Sequence, residues 1–157
     1  MQTQDARGLE VTNGDPKAIA AIDNFAVDLL GMGPDTARIL DAAEQSPDCG
    51  LLQTYAGFFH MYALTEAGRC AAKDALFRAR RLAATPRERG LLEAGQAWHD
   101  GDYEAAMDHC EAVTKQWPRD VVAAKIAATS FSGFCRGSSS GSNKTGRPLP
   151  STTGRGQ

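Results

Sequence analysis

The length of 157 residues suggests one domain, and a 42% hydrophobic fraction is enough for a buried core. A net charge of -2 excludes a general nucleic-acid binder, which is normally basic. Charge interrupts every apolar stretch before the ~18 residues that a membrane span needs. The first residues, MQTQDARGLE, lack the apolar core of a secretory signal, so the cytoplasm is the expected compartment. The total charge hides an asymmetry: residues 1-129 carry 13 Lys/Arg against 19 Asp/Glu, while residues 130-157 carry four Lys/Arg and no acid.

In chain order, residues 1-14 read as an extended segment with no β-type alternation. Asp15-Pro16 is an N-cap followed by proline at the first helical position. Ile19, Ile22, Ala26, Leu29 and Leu30 then form one stripe at helical spacing, and Gly31 and Gly33 supply the stop. Pro34-Asp35 opens a second helix with Ile39, Leu40 and Ala43 inward. It ends at Ser46-Pro47, because the residue before proline is pushed out of the helical region. The third helix is expected from Asp48 to Thr65. Its aromatic face of Leu51, Leu52, Tyr55, Phe58, Phe59 and Tyr62 reads first as core and alternatively as the lining of a ligand groove. Glu66-Ala67-Gly68 reads as the next turn.

The fourth helix, Arg69 to Ala84, turns Ala72, Ala75, Leu76, Ala79, Leu82 and Ala83 inward and Lys73, Arg80 and Arg81 outward, as an amphipathic helix requires. Phe77 falls among the charges. Thr85-Pro86-Arg87-Glu88 is a capping box with proline inside it, the sharpest local signal in the chain. Leu91, Leu92, Ala94, Gly95 and Trp98 follow, and His99-Asp100-Gly101 closes that helix. Asp102 opens a sixth helix with Tyr103, Ala106, Met107, Cys110 and Val113 inward, and Trp117-Pro118 ends it. Asp120 opens a seventh with Val122, Ala123, Ile126 and Ala127.

Ala72, Leu76 and Ala79 recur as Ala106, Cys110 and Val113 after 34 positions. A period near 34 in helix-turn-helix units is the tetratricopeptide signature. In the second unit, GDYEAAMDHCEAVTKQWPRD, Gly101 makes the turn, Tyr103 packs beneath it, Ala106 lets two helices approach, and Pro118 ends the unit. The expected fold is all-α: about seven helices in antiparallel pairs, stacked as a tetratricopeptide-like superhelix over residues 15-129. Together with DARGLEVT before the first helix, the stretches TPRERGLLEAGQAWHDGDYEAAM and WPRDVVAAKIA resemble the N-terminal part of the tetratricopeptide repeat protein 38 family, over residues 5-128. The resemblance implies a superhelix continued by further helical pairs in longer members, and no catalytic motif to carry over.

From residue 129 the chain departs from that pattern. Residues 130-157 hold 13 Gly or Ser among 28, a composition that buries too little to offset ordering. It reads as a disordered tail, out-of-frame or natural. On this reading Val122, Ile126 and Ala127 are left uncovered, and weak self-association through the uncapped seventh helix is expected.

Other constellations are weak. Cys49, Cys70, Cys110 and Cys135 form no C-x-x-C pair and read as small hydrophobes. His99, Asp100, Asp102, His109 and Cys110 lack the convergence a tetrahedral metal site needs. The acids Asp100, Asp102, Glu104, Asp108 and Glu111 read as a solvated face rather than an acid-base pair. GSSSGSNKTG has the wrong spacing and no preceding strand for a phosphate loop. No cofactor is expected. Arg78, Arg80, Arg81, Arg87 and Arg89 cluster at one helix junction and form the candidate partner-binding patch for a peptide or protein. The function expected is therefore a non-enzymatic protein-interaction scaffold with an unidentified protein or peptide partner, and neither nucleic acid nor membrane. The alternative is a small-molecule binder or enzyme using the aromatic third helix.

Overall fold

The computed structural model describes residues 2–130. Among them are two short strands, β1 (Gln2–Gln4) and β2 (Glu10–Thr12), and seven α-helices. The helices are α1 (Pro16–Gly31), α2 (Arg38–Gln45), α3 (Gly50–Tyr62), α4 (Glu66–Leu82), α5 (Pro86–Asp100), α6 (Tyr103–Gln116) and α7 (Val121–Ser130), with a single 3-10 turn at Pro34–Ala37 before α2. The all-α class expected from periodicity is what the chain adopts. No helix among the described residues is long and apolar enough to cross a membrane. The Gly/Ser-rich tail, with Phe131, Phe134 and Cys135, lies outside the described residues.

Helix starts fall where cap chemistry is local. Asp15 accepts from the Ala18 amide, Thr85 from the Glu88 amide and Asp102 from the Ala105 amide. Each satisfies one donor that a helix N-terminus leaves open. Gly101 ends α5 at φ 82, a left-handed conformation that a β-carbon penalises. The end of α1 differs from expectation. Met32, not glycine, takes the left-handed position, with its amide bonded to Asp28 O. The third helix is shorter than its pattern suggests, because Leu64 turns to positive φ and Thr65 caps α4 by accepting from Gly68. Glu66-Ala67-Gly68 is therefore the first turn of α4 rather than a loop.

Helix α3 is the centre of the fold. Every residue from Gly50 to Phe58 is buried, with α1, α2, α4 and α5 packed around it. Its aromatic face is core: Tyr55 stacks on Phe25 at 5.1 Å, Phe58 lies 6.2 Å from Trp98, and Tyr62 meets Trp98 edge-on at 5.2 Å. Leu76 of α4 fits between α3 and α5 because Gly57 and Gly95 have no side chain. A β-carbon at either would stand 2.8 Å from a Leu76 methyl, well inside normal contact distance. The six positions of the 34-residue register, Ala72, Leu76, Ala79, Ala106, Cys110 and Val113, are all buried.

Two side chains depart from the inward pattern. Leu30 is half exposed at 49%. Cys70 is exposed, unlike Cys49 and Cys110. At the other end, Val122 and Ile126 are 1% and 0% exposed. They do not face an absent neighbour. Helix α7 packs on both α6 and α1, so the first and last helices among the described residues meet, and the basis for an uncovered end disappears.

The N-terminal segment is also more ordered than its sequence suggests. β1 and β2 pair antiparallel, Thr3 opposite Val11. The turn between them is built on Asp5, whose carboxylate accepts from the Arg7 and Leu9 amides at 2.9 Å each. Arg7 bridges Asp5 and Asp23, tying the hairpin to α1. Val11 is fully buried in the main core.

Candidate functional site

The five arginines of the expected patch occupy three environments, and they do not form one surface. Arg87 is the correction. It is 2% exposed, and its Nη1 donates to Asp120 at 2.7 Å while Nη2 donates to Glu10 O at 2.9 Å. Its position explains this: Arg87, Leu91, Gly95 and Trp98 share the i, i+4, i+8, i+11 stripe that α5 turns inward. Asp120 in turn caps α7 through its other oxygen, which accepts from Ala123 at 3.0 Å. Arg87 thus links α5, α7 and β2, and it is unavailable to a partner. Its Nε has no hydrogen-bond partner. The phenol of Tyr55 lies in the field of the same charges, and burial raises its pKa.

Glu88 completes this buried junction. One carboxylate oxygen accepts from the Thr12 amide at 2.8 Å, and the other accepts from the Thr12 hydroxyl and from the amides of Ala84 and Thr85. The capping box therefore also holds down the N-terminal hairpin.

Arg78 is exposed but engaged. Its Nε donates to Gln53 Oε1 at 2.9 Å, and the Gln53 amide donates to Ala43 O at 2.7 Å. It lines a cleft of about 370 Å³ between α2, α3 and α4, with Ala43, Gln53, Ala56 and His60. Desolvation, and then the Arg78 charge, hold His60 below its usual pKa.

Arg80, Arg81 and Arg89 are exposed too, and their side chains have no partner among the described residues. Arg80 lines a groove of about 270 Å³ between α4 and α5 with Lys73, Leu76, Phe77, Gln96 and His99, and Asp100 closes one end. Phe77 stands in it 64% exposed. Leu76, Ala79 and Leu92 form a small apolar cluster between the same two helices. Arg81 follows Phe77 by one turn, and Arg89 shares the α5 stripe of Gln96. Lys73 and Gln96 were outside the sequence patch. The i, i+4 spacing of Lys73, Phe77 and Arg81 is the signal that adds the lysine.

Burial pushes the Cys110 thiol up to about 12, which keeps it protonated and inert. Among the described residues no three His, Cys, Asp or Glu side chains converge as a metal site would need. Comparison with family models, with curated proteins and with solved structures returns no match.

Proposed function

We propose that the chain is a cytoplasmic protein-interaction scaffold of the tetratricopeptide type, non-enzymatic, and resembling the N-terminal part of the tetratricopeptide repeat protein 38 family. The supporting observation is the 34-residue register. Helices α4 and α6 bury equivalent positions, Ala72, Leu76 and Ala79 against Ala106, Cys110 and Val113. That is the relation expected of successive units whose helices bury their faces on their neighbours. Such arrays offer rigid, shaped surfaces to peptides and proteins. The exposed, unpaired cations of α4 are in keeping with that use, and the free thiols of Cys49, Cys70 and Cys110 fit a reducing compartment.

Selection of a random peptide library against the immobilised chain tests this reading. The expected result is an enriched peptide consensus that binds the chain in solution. No enrichment, together with a small molecule retained by the purified chain in native mass spectrometry, would replace the scaffold with the small-molecule reading.

A further inference from the structure

The groove between α4 and α5 combines three features that no other surface of the described residues combines. It displays a large exposed aromatic side chain, Phe77. Apolar Leu76 lies at its base, beside Leu92 of the same cluster. Cations flank it: Lys73 and Arg80 line it, Arg81 sits one turn from Phe77 on α4, and Arg69 donates to the carbonyl of His99, another lining residue. Two acids are near, Asp74 and Asp100, and Asp100 is engaged with the His99 ring. Among the described residues the side chains of Lys73, Arg80, Arg81 and Arg89 form neither ion pair nor hydrogen bond. This local excess of positive charge stands on a body that is otherwise acidic, with 13 Lys/Arg against 19 Asp/Glu in residues 1-129.

We propose that this groove docks an acidic peptide segment of a partner protein, with one apolar side chain seated on Phe77 and carboxylates paired with Lys73, Arg80 and Arg81. This deepens the scaffold reading and rests on it. A volume of about 270 Å³ falls short of the usual 300–1,000 Å³ of a small-molecule site, yet holds one side chain. Carboxylates pair with guanidinium groups in fork geometry, and these guanidiniums lose no internal bond by doing so. The apolar base selects for a side chain rather than a phosphate. A nucleic acid would also need cations spread along its backbone, and the acidic body around the groove repels it.

The same random peptide library decides the point. The expected consensus is Asp- and Glu-rich around a single Leu, Ile, Phe or Trp. Binding of the selected peptide, read by fluorescence anisotropy, should weaken at least about tenfold in Lys73→Glu/Arg80→Glu and in Phe77→Ser, a change of about 1.4 kcal/mol. It should be unaffected in Arg38→Glu, a charge reversal on α2 away from the groove, and all variants should keep the wild-type circular dichroism spectrum. A consensus without acids overturns the proposal, as does equal loss in Arg38→Glu. Peptides whose binding ignores the Lys73, Arg80 and Phe77 changes overturn this groove while leaving the scaffold reading intact. Complete absence of enrichment overturns both. A dimer in sedimentation that Phe77→Ser dissolves would also overturn it, by assigning the groove to a second copy.

Discussion

Arg87 and Arg80 stand seven residues apart in one basic run, and the fold gives them opposite fates. Arg87 lies on the inward stripe of α5, buried and bonded to Asp120 and Glu10. Arg80 lies on the outward side of α4, exposed beside Phe77, its side chain without an intramolecular partner among the described residues. A buried guanidinium holds a fold together only while its partner remains, since an uncompensated interior charge is costly. An exposed one contributes little to stability and is free to meet another molecule. Helical phase, not local composition, assigned the roles.

Substitutions should separate the two regions by size of effect. Largest is Val122→Lys combined with Ile126→Lys. Both side chains are at most 1% exposed, so two ammonium groups would enter the core with no partners. Loss of the α7 docking, and of cooperative thermal unfolding, is expected. A folded monomer would mean that α7 does not sit on α1 and α6. Next is Asp120→Ala, which leaves Arg87 buried without its carboxylate and removes the α7 cap. A cost of about 3–5 kcal/mol in urea unfolding is expected; a loss under about 1 kcal/mol would show that water reaches Arg87. Thr85→Ala comes third, at about 1 kcal/mol for a lost cap acceptor. Wild-type unfolding of that variant would mean that Glu88 alone holds the start of α5.

What the sequence showed and what it hid divide along range. Caps at Asp15, Thr85 and Asp102 were legible because donor and acceptor lie within three residues of each other. The burial of Ala72, Leu76 and Ala79 on α4 and of Ala106, Cys110 and Val113 on α6 was legible from helical spacing. The β-hairpin was not: three residues per strand are too few to show alternation, and the Thr12 anchor, Glu88, is 76 positions away. The seating of α7 on α1 was hidden for the same reason, being a contact between opposite ends of the domain. The burial of Arg87 was partly legible. Continuing the Leu91, Gly95 and Trp98 stripe back one turn lands on it, and Asp120 is an acid at a helix start. Phe77 stood out at once, because an aromatic on the charged side of an amphipathic helix breaks the pattern.

Arg78 is exposed like Arg80 but bonded to Gln53, and His60 reports on it. His60 sits at the edge of the α2–α3–α4 cleft, where desolvation first and the neighbouring guanidinium second disfavour its charged form. Its folded pKa therefore lies below the ordinary value of 6.5. A histidine that is harder to protonate when folded binds its proton more readily in the unfolded chain. Its contribution to stability is full above pH 6.5, falls as the pH drops through that value toward the lowered folded one, and is constant below both. Urea unfolding from about pH 7.5 to about pH 5 should show a shallow loss of stability that His60→Gln flattens. Arg78→Ala should flatten it only in part, because desolvation remains. The effect is small, since His60 is only half buried and solvent screens the charge. Identical pH slopes in wild type and His60→Gln would show that the ring keeps its ordinary pKa and that solvent screens it from the Arg78 charge.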